Sequence, residues 1–268
     1  MAVTKAARIV TVSNEVTIRE FTRQAASFEQ PGSHFGDLGV LDWIAAHVEV
    51  GTEDRVLDVA GGTGQLGRHL GRGAKLTVVA DLTPAMLELG VQATRTAGRR
   101  DVVYVQADAA ALPFADGQFE VVVSRFALHH LPDIGAALRE MERVCAPGGN
   151  VTVIDMVAEP GPAGDRLDEL ERLRDPSHAA CPREAELGEL LAGAGLRAGR
   201  VAARDGRLAA EPWLERAHPE RAAGEEVLAA LREEASGGAP TGLRAAVVDG
   251  TLTITHRYVL IGGARPGA

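Results

Sequence analysis

The segment Val56–Leu70, VLDVAGGTGQLGRHL, runs from an apolar stretch into closely spaced glycines and then into a helix-forming stretch. A strand that turns on glycine into a helix is the opening unit of a doubly wound α/β sheet. Four more Val/Ile-rich runs follow, KLTVVAD, DVVYVQAD, FEVVVSR and NVTVIDMV. Helix-forming segments lie among them: TPAMLELGVQATRTAG, with Thr83 as N-cap and Pro84 at its first position, and DIGAALREMERVCAPGG, stopped by Pro147-Gly148-Gly149. Runs this continuously apolar need cover on both faces, so a mostly parallel sheet flanked by helices is predicted.

The flanking segments read differently. EVTIREFTRQAASFEQPG has helical spacing and ends at Pro31-Gly32; GDLGVLDWIAAHV is a second amphipathic helix with Leu38, Leu41, Ile44, Ala45 and Val48 inward. His34 and His47 read as helix-face residues. After residue 160, AGDRLDELERLRD and PREAELGELLAGAGL are helical and RAGRVAAR is a strand. A helical stretch around 211–236, the break SGGAPTG and the strand GTLTITHRYVLIGG complete the chain. The expected fold is Rossmann-like: a doubly wound, mostly parallel seven-stranded sheet with helices on both faces. Residues 1–268 form one domain, with N-terminal helices to about residue 50, a cofactor-binding core over 51–157, and cap helices with the last two strands over 158–268.

A formal charge of −9 and a pI near 5.4 argue against a surface built for nucleic-acid phosphates, which calls for clustered Lys and Arg. No run approaches a membrane span and no leader pattern opens the chain, so a cytoplasmic protein without membrane partners is expected. Cys145 and Cys181 lack C-x-x-C spacing and a histidine at zinc-ligand spacing; they read as ordinary thiols in a reducing compartment, with no metal site.

Gly62, Gly64 and Gly67 spell G-x-G-x-x-G, the fingerprint of a dinucleotide turn. Asp58 argues for another ligand. An acid four positions before Gly62 would repel a pyrophosphate and suits a cationic group such as an amine. Asp108, at the end of the third run, is placed to accept a bond from an exocyclic adenine amine. An NAD(P)-dependent oxidoreductase would also need a proton relay such as Tyr-x-x-x-Lys, and neither Tyr104 nor Tyr258 has a lysine at that spacing.

Residues roughly 52–157 resemble the class I S-adenosylmethionine-dependent methyltransferases, especially the ubiquinone/menaquinone C-methyltransferase-like small-molecule subgroup. DVAGGTG is similar to that subgroup's glycine motif, with Ala60 where many relatives have glycine. The resemblance implies S-adenosyl-L-methionine as cofactor. It assigns Asp58, Ala60, Gly61, Gly62 and Gly64 to the glycine motif. Asp81, 17 positions past Gly64, with Leu82 beside it, goes to the ribose hydroxyls. Asp108 and Ala109 are assigned to the adenine, and the backbone near Arg125 and Phe126 to the methionine moiety. The stretches SRFALHHLPD and RVCAPGGNVTVID match the family pattern around the fourth and fifth strands.

The implied reaction is methyl transfer to an oxygen or carbon of a small molecule: a phenol, a quinol, or a polyketide- or terpenoid-like compound. Ser124-Arg125-Phe126 stands where methylases of nucleic-acid bases carry an Asn/Asp-Pro-Pro-aromatic motif, which also points to a small-molecule acceptor. His129, oriented by Asp155, is the expected base, with His130 and His178 as further candidates. Phe21, Gln24 and Phe28 are expected to face the cofactor from the N-terminal helix. The competing reading is a methyltransferase-like scaffold that binds the cofactor but acts as a cyclase or binding module.

Overall fold

The computed structural model describes residues 4–5, 12–29 and 37–267; Pro31-Gly32 and His34 lie outside them. In chain order the elements are β1 (Thr4–Lys5), α1 (Val12–Phe28), α2 (Leu38–Ala45), β2 (Arg55–Val59), α3 (Gln65–Leu70), β3 (Leu76–Asp81), α4 (Pro84–Thr96), β4 (Val102–Gln106) and β5 (Phe119–Arg125). They continue with α5 (Ile134–Val144), β6 (Cys145–Val157), α6 (Pro162–Arg174), α7 (Glu184–Gly193), β7 (Arg197–Ala209), α8 (Ala210–Glu215), α9 (Arg221–Ala235), β8 (Ala246–Val248) and β9 (Thr251–Ala264).

One open sheet runs in the order β1-β4-β3-β2-β5-β6-β9-β7, with β8 paired to β9. The strands from β1 to β6 pair in parallel, and β7, β8 and β9 are antiparallel. The seven long strands expected from the sequence are all present. The additions are the two-residue β1 and the hairpin strand β8. Asp249 and Gly250, both at positive φ (49° and 77°), form the two-residue turn between β8 and β9, the geometry for which Asp-Gly is suited.

The strands alternate their burial between two cores. Leu57, Val59 and Val122 pack with α5 and α7 through Leu138, Met141, Leu187 and Leu191. Val56, Val121 and Val123 pack with α2 and α3 through Leu41, Ile44, Leu66 and Leu70. This two-sided burial is why the strand sequences show no polar alternation.

Two local expectations are corrected. Leu38 is 60% exposed, and Val40 is buried in its place because α2 starts at Leu38 behind the Asp37 N-cap. Helix α5 ends at Val144 instead of Pro147-Gly148-Gly149, because β6 already starts at Cys145 and pairs with Phe119. Thr83 is the N-cap of α4 and Pro84 opens the helix, as expected; the Thr83 side chain makes no capping bond, and its amide donates to Asp81 Oδ1 at 2.8 Å.

The connection from β2 to β3 runs to one side of the sheet, while β5 lies on the other side of β2. This is the topological switch point, where open α/β sheets hold ligands at the carboxyl ends of the strands. Helices α6, α8 and α9 form a separate apolar cluster with β9 over this end, through Leu167, Leu170, Trp213, Val227, Leu231 and Ile254.

Gly64 holds the turn between β2 and α3 at φ +78°. A Cβ there would stand 2.7 Å from Val79 Cγ2 and 3.0 Å from Tyr104 Oη. Gly64→Ala is therefore expected to lower the Tm by about 5 °C or more in a thermal melt, since backbone strain and overpacking each cost of order 1–3 kcal/mol. An unchanged Tm would mean that the turn relaxes freely.

Candidate active site

A cavity of about 290 Å³ opens at the switch point. Its floor is the glycine turn and the ends of β2 to β5: Asp58, Ala60, Gly61, Gly62, Asp81, Leu82, Asp108, Ala109, Arg125 and Phe126 all line it. Gly64 does not line it, because it packs downward on Val79 and Tyr104.

The carboxylates on this floor differ in what they already hold. Asp58 is buried, and the Gly67 amide donates to its Oδ2 at 2.8 Å. Its Oδ1 has no hydrogen-bond partner among the described residues. Burial pushes its pKa up to about 6, against the Gly67 bond and the Arg125 charge, which pull it down. Asp81 accepts the Gly62 amide on Oδ2 and the Thr83 amide on Oδ1, both at 2.8 Å. These two bonds clamp the glycine turn to the start of α4. Asp108 accepts from Asn14 Nδ2 at 2.7 Å and from the Ala110 amide at 2.9 Å.

Two non-glycine residues of the cavity take positive φ: Ala60 at 50° and Phe126 at 54°. The first explains why glycine suits that position. Strained backbone of this kind costs of order 1–3 kcal/mol and is held by its surroundings. For Phe126 the restraint includes its amide, which donates to the Ile154 carbonyl at 2.8 Å.

Beyond the floor stands a cluster of histidines. The short 3₁₀ turn Leu128–His130 follows β5 and is tied to β6 through Asp155. Asp155 is fully buried; Oδ2 accepts the Leu128 amide at 2.6 Å, and Oδ1 accepts the Met156 amide at 2.7 Å. His129 Nδ1 lies 2.5 Å from Asp155 Oδ1. Burial opposes the imidazolium, but the charge and hydrogen bond of Asp155, helped by Glu171 and Asp175, outweigh it and hold the His129 pKa above its usual range. His129 lines the cavity and Asp155 stands behind it.

The other two candidate bases are placed differently. His130 lines the cavity with its Nδ1 3.1 Å from the Ser177 carbonyl and 3.0 Å from Ser177 Oγ. Burial and the neighbouring His129 push its pKa down to about 3. His178 is turned away from the cavity, with Nε2 2.9 Å from Asp168 Oδ1. Cys145 and Cys181 are free and buried. The fold does bring Asp168, His178 and Cys181 together, with donor atoms within 4.8 Å of one another; the expectation that neither cysteine has a histidine at ligand spacing is corrected, since His178 lies three positions before Cys181. Asp168 is already engaged there by His178, the Cys181 amide and Arg183.

Helix α1 covers the cavity. Asn14 reaches Asp108, and Gln24 Nε2 donates to Asp175 at 2.8 Å; Phe21 stands edge-on to His130 at 4.8 Å. Phe21, Gln24 and Phe28 all line the cavity. The far wall comes from the cap and β9, which the motif reading missed: Glu171, Arg174, Trp213, Arg216, His256 and Tyr258. Two signals were present in the pattern. Glu171 lies on the apolar stripe of α6, four positions after Leu167, and His256 sits in the inward row Ile254, His256, Tyr258, Leu260 of β9.

The family described as "Methyltransferase domain" matches residues 57–153. The chain is 34% identical over 154 residues to a protein of Bacillus subtilis (strain 168) named uncharacterized methyltransferase YcgJ, covering 57% of this chain and 58% of that one. It is 43% identical over 105 residues to the ubiquinone/menaquinone biosynthesis C-methyltransferase UbiE of Shewanella frigidimarina (strain NCIMB 400), covering 38% of this chain and 42% of that one. The chain spans about half the length of the curated relatives it matches. The crystal structure of the Bacillus YcgJ protein superposes with a TM-score of 0.79 at 24% identity, over 86% of this chain and 100% of that one, and shares the fold.

Proposed function

Residues 57–153 belong to the class I S-adenosylmethionine-dependent methyltransferases, and from that premise we propose that the chain methylates an oxygen or carbon of a small-molecule acceptor. The observation that carries this reading is the convergence of the His129–Asp155 pair with Asp58, Asp81 and Asp108 on one cavity. When bound, S-adenosylmethionine supplies an electrophilic methyl group on a sulfonium.

The residues present fit such a group. The free Oδ1 of Asp58 is a buried acceptor suited to an amino group. A Cβ on Gly62 would meet nothing within 4 Å, so the backbone there lies open to a ligand. Asp81 and Asp108 keep lone pairs beyond the amides they bind, for ribose hydroxyls and an adenine amine respectively. Leu82 and Ala109 border those two acids, and the Arg125–Phe126 backbone would hold the methionine moiety. Gly64 supports the turn from below.

The chain's work in the reaction is orientation, exclusion of water and management of one proton. Helix α1 bridges both ends of the cavity and shields it. His129, with Nδ1 committed to Asp155, takes the acceptor's proton on Nε2. The alternative bases are less suited: His130 lines the cavity but is depressed too far to hold a proton near neutrality, and His178 is turned away from it towards Asp168. The acidic charge and Ser124-Arg125-Phe126 support a small molecule over a nucleic acid. Among the described residues no helix is long and apolar enough to cross a membrane.

Calorimetric titration tests the assignment. S-adenosylhomocysteine is expected to bind saturably and NAD(P) to give no response; the reverse outcome would sink it. Lowering the pH from 8 to 5 should weaken S-adenosylhomocysteine by roughly tenfold, because the raised pKa of Asp58 protonates it below about 6 and its proton must leave before it can hold a cation. Asp58→Asn should flatten that dependence.

A further inference from the structure

We propose that His256 and Glu171 form a second subsite at the acceptor end of the cavity, which takes a hydroxyl group of the acceptor remote from the atom that is methylated. The proposal rests on the methyltransferase reading above and names a determinant of its acceptor class.

Both side chains line the cavity and both are buried, His256 at 6% exposure and Glu171 at 1%. Glu171 Oε2 is spoken for: Arg174 Nη1 donates to it at 3.0 Å. Arg174 is itself fixed, lying over the Trp213 ring at 4.6 Å and donating from Nε to the Trp213 carbonyl at 3.1 Å. The remaining oxygen, Oε1, stands 3.3 Å from His256 Nε2. That is an ion-pair distance, but neither atom completes an aligned hydrogen bond with any described residue. The two atoms face each other as a loose buried pair, and a ligand group that bonds to both would offset part of the cost of burying them.

The chemistry of the two atoms selects the ligand group. A carboxylate oxygen only accepts, and an imidazole N–H donates. A hydroxyl has one proton and two lone pairs, so one oxygen can donate to Glu171 and accept from His256. An ammonium group has nothing to offer the imidazole N–H and would face Arg174 and Arg216, both in the cavity wall. An anion would meet the Glu171 carboxylate, which Arg174 and His256 hold ionised against the cost of burial. A neutral hydroxyl is the group that both charges tolerate. The cavity wall also carries apolar surface, with Phe126 and Tyr258 rings 4.8 Å apart and Met156 in the same apolar cluster. The acceptor is thus an apolar, ring-sized molecule with a reacting group at one end and a hydroxyl at the other.

The test uses the full chain saturated with S-adenosylhomocysteine and titrated with a matched probe pair, 2-naphthol and 2,6-dihydroxynaphthalene. The diol is expected to bind at least about tenfold more tightly, the scale of one hydrogen bond to a charged group. His256→Phe and Glu171→Gln should each bring that preference close to unity. Equal affinity for the two probes, no binding of either, or a preference that survives in both variants overturns the proposal. The comparison within the unsubstituted protein decides even if a variant fails to fold. Absence of S-adenosylhomocysteine binding in the same cell would instead defeat the underlying methyltransferase reading.

Discussion

Replacing His129 with alanine is expected to lower turnover by about 10²–10⁴-fold, the usual contribution of a positioned base, while leaving S-adenosylhomocysteine affinity nearly unchanged. The expectation comes from geometry. His129 lines the cavity and its Nδ1 is held 2.5 Å from a fully buried carboxylate, which fixes both the ring and its tautomer. The raised pKa adds a pH signature. The base works only when deprotonated, so the rate of the unsubstituted enzyme should fall as pH drops through a value above the ordinary imidazole range. That acid limb should vanish in His129→Ala, and a pre-ionised phenolic acceptor at high pH should recover part of the loss. Asp155→Asn should reduce turnover in the same direction by a smaller factor. It should also lower the Tm, since Asp155 accepts two backbone amides as well as the imidazole and an amide keeps one acceptor oxygen of the two. Wild-type turnover in both variants would place the base elsewhere or show that the acceptor needs none.

Asp81→Ala is expected to weaken S-adenosylhomocysteine by tenfold or more, measured by calorimetry. Hydrogen bonds from ribose hydroxyls to a carboxylate are charge-assisted and worth about 1.5–3 kcal/mol each. The same substitution should also lower the Tm by a few degrees. Asp81 accepts the amides of Gly62 and Thr83, so its removal frees the glycine turn and the start of α4 together. Unchanged affinity with a lowered Tm would mean that Asp81 serves only to hold the turn.

Much of this site can be read along the chain because the elements that build its floor are local. Strand, glycine turn and helix follow one another in VLDVAGGTGQLGRHL, and Asp58, Asp81, Asp108 and Arg125 mark the ends of strands that period and composition delimit. In a parallel sheet the ends of successive strands fall on one edge, so their spacing in sequence already implies a common pocket. The pairing of His129 with Asp155 was legible for the same reason, since β5 and β6 are neighbours in chain order and in the sheet.

The distal wall was not legible. Glu171 comes from α6, Trp213 from α8 and His256 from β9, and no local rule sets how three such elements pack over the sheet. Gly64 shows the converse: its place in the glycine motif suggested a ligand contact, whereas the packing of Val79 and Tyr104 beneath it makes it a support. Local propensity and strand order determined where the acids of the floor would gather. The distance between Glu171 and His256 depends on side chains 85 positions apart meeting across the cap. Only tertiary packing decides that, because each of those residues satisfies its own helix or strand equally well wherever the cap comes to rest.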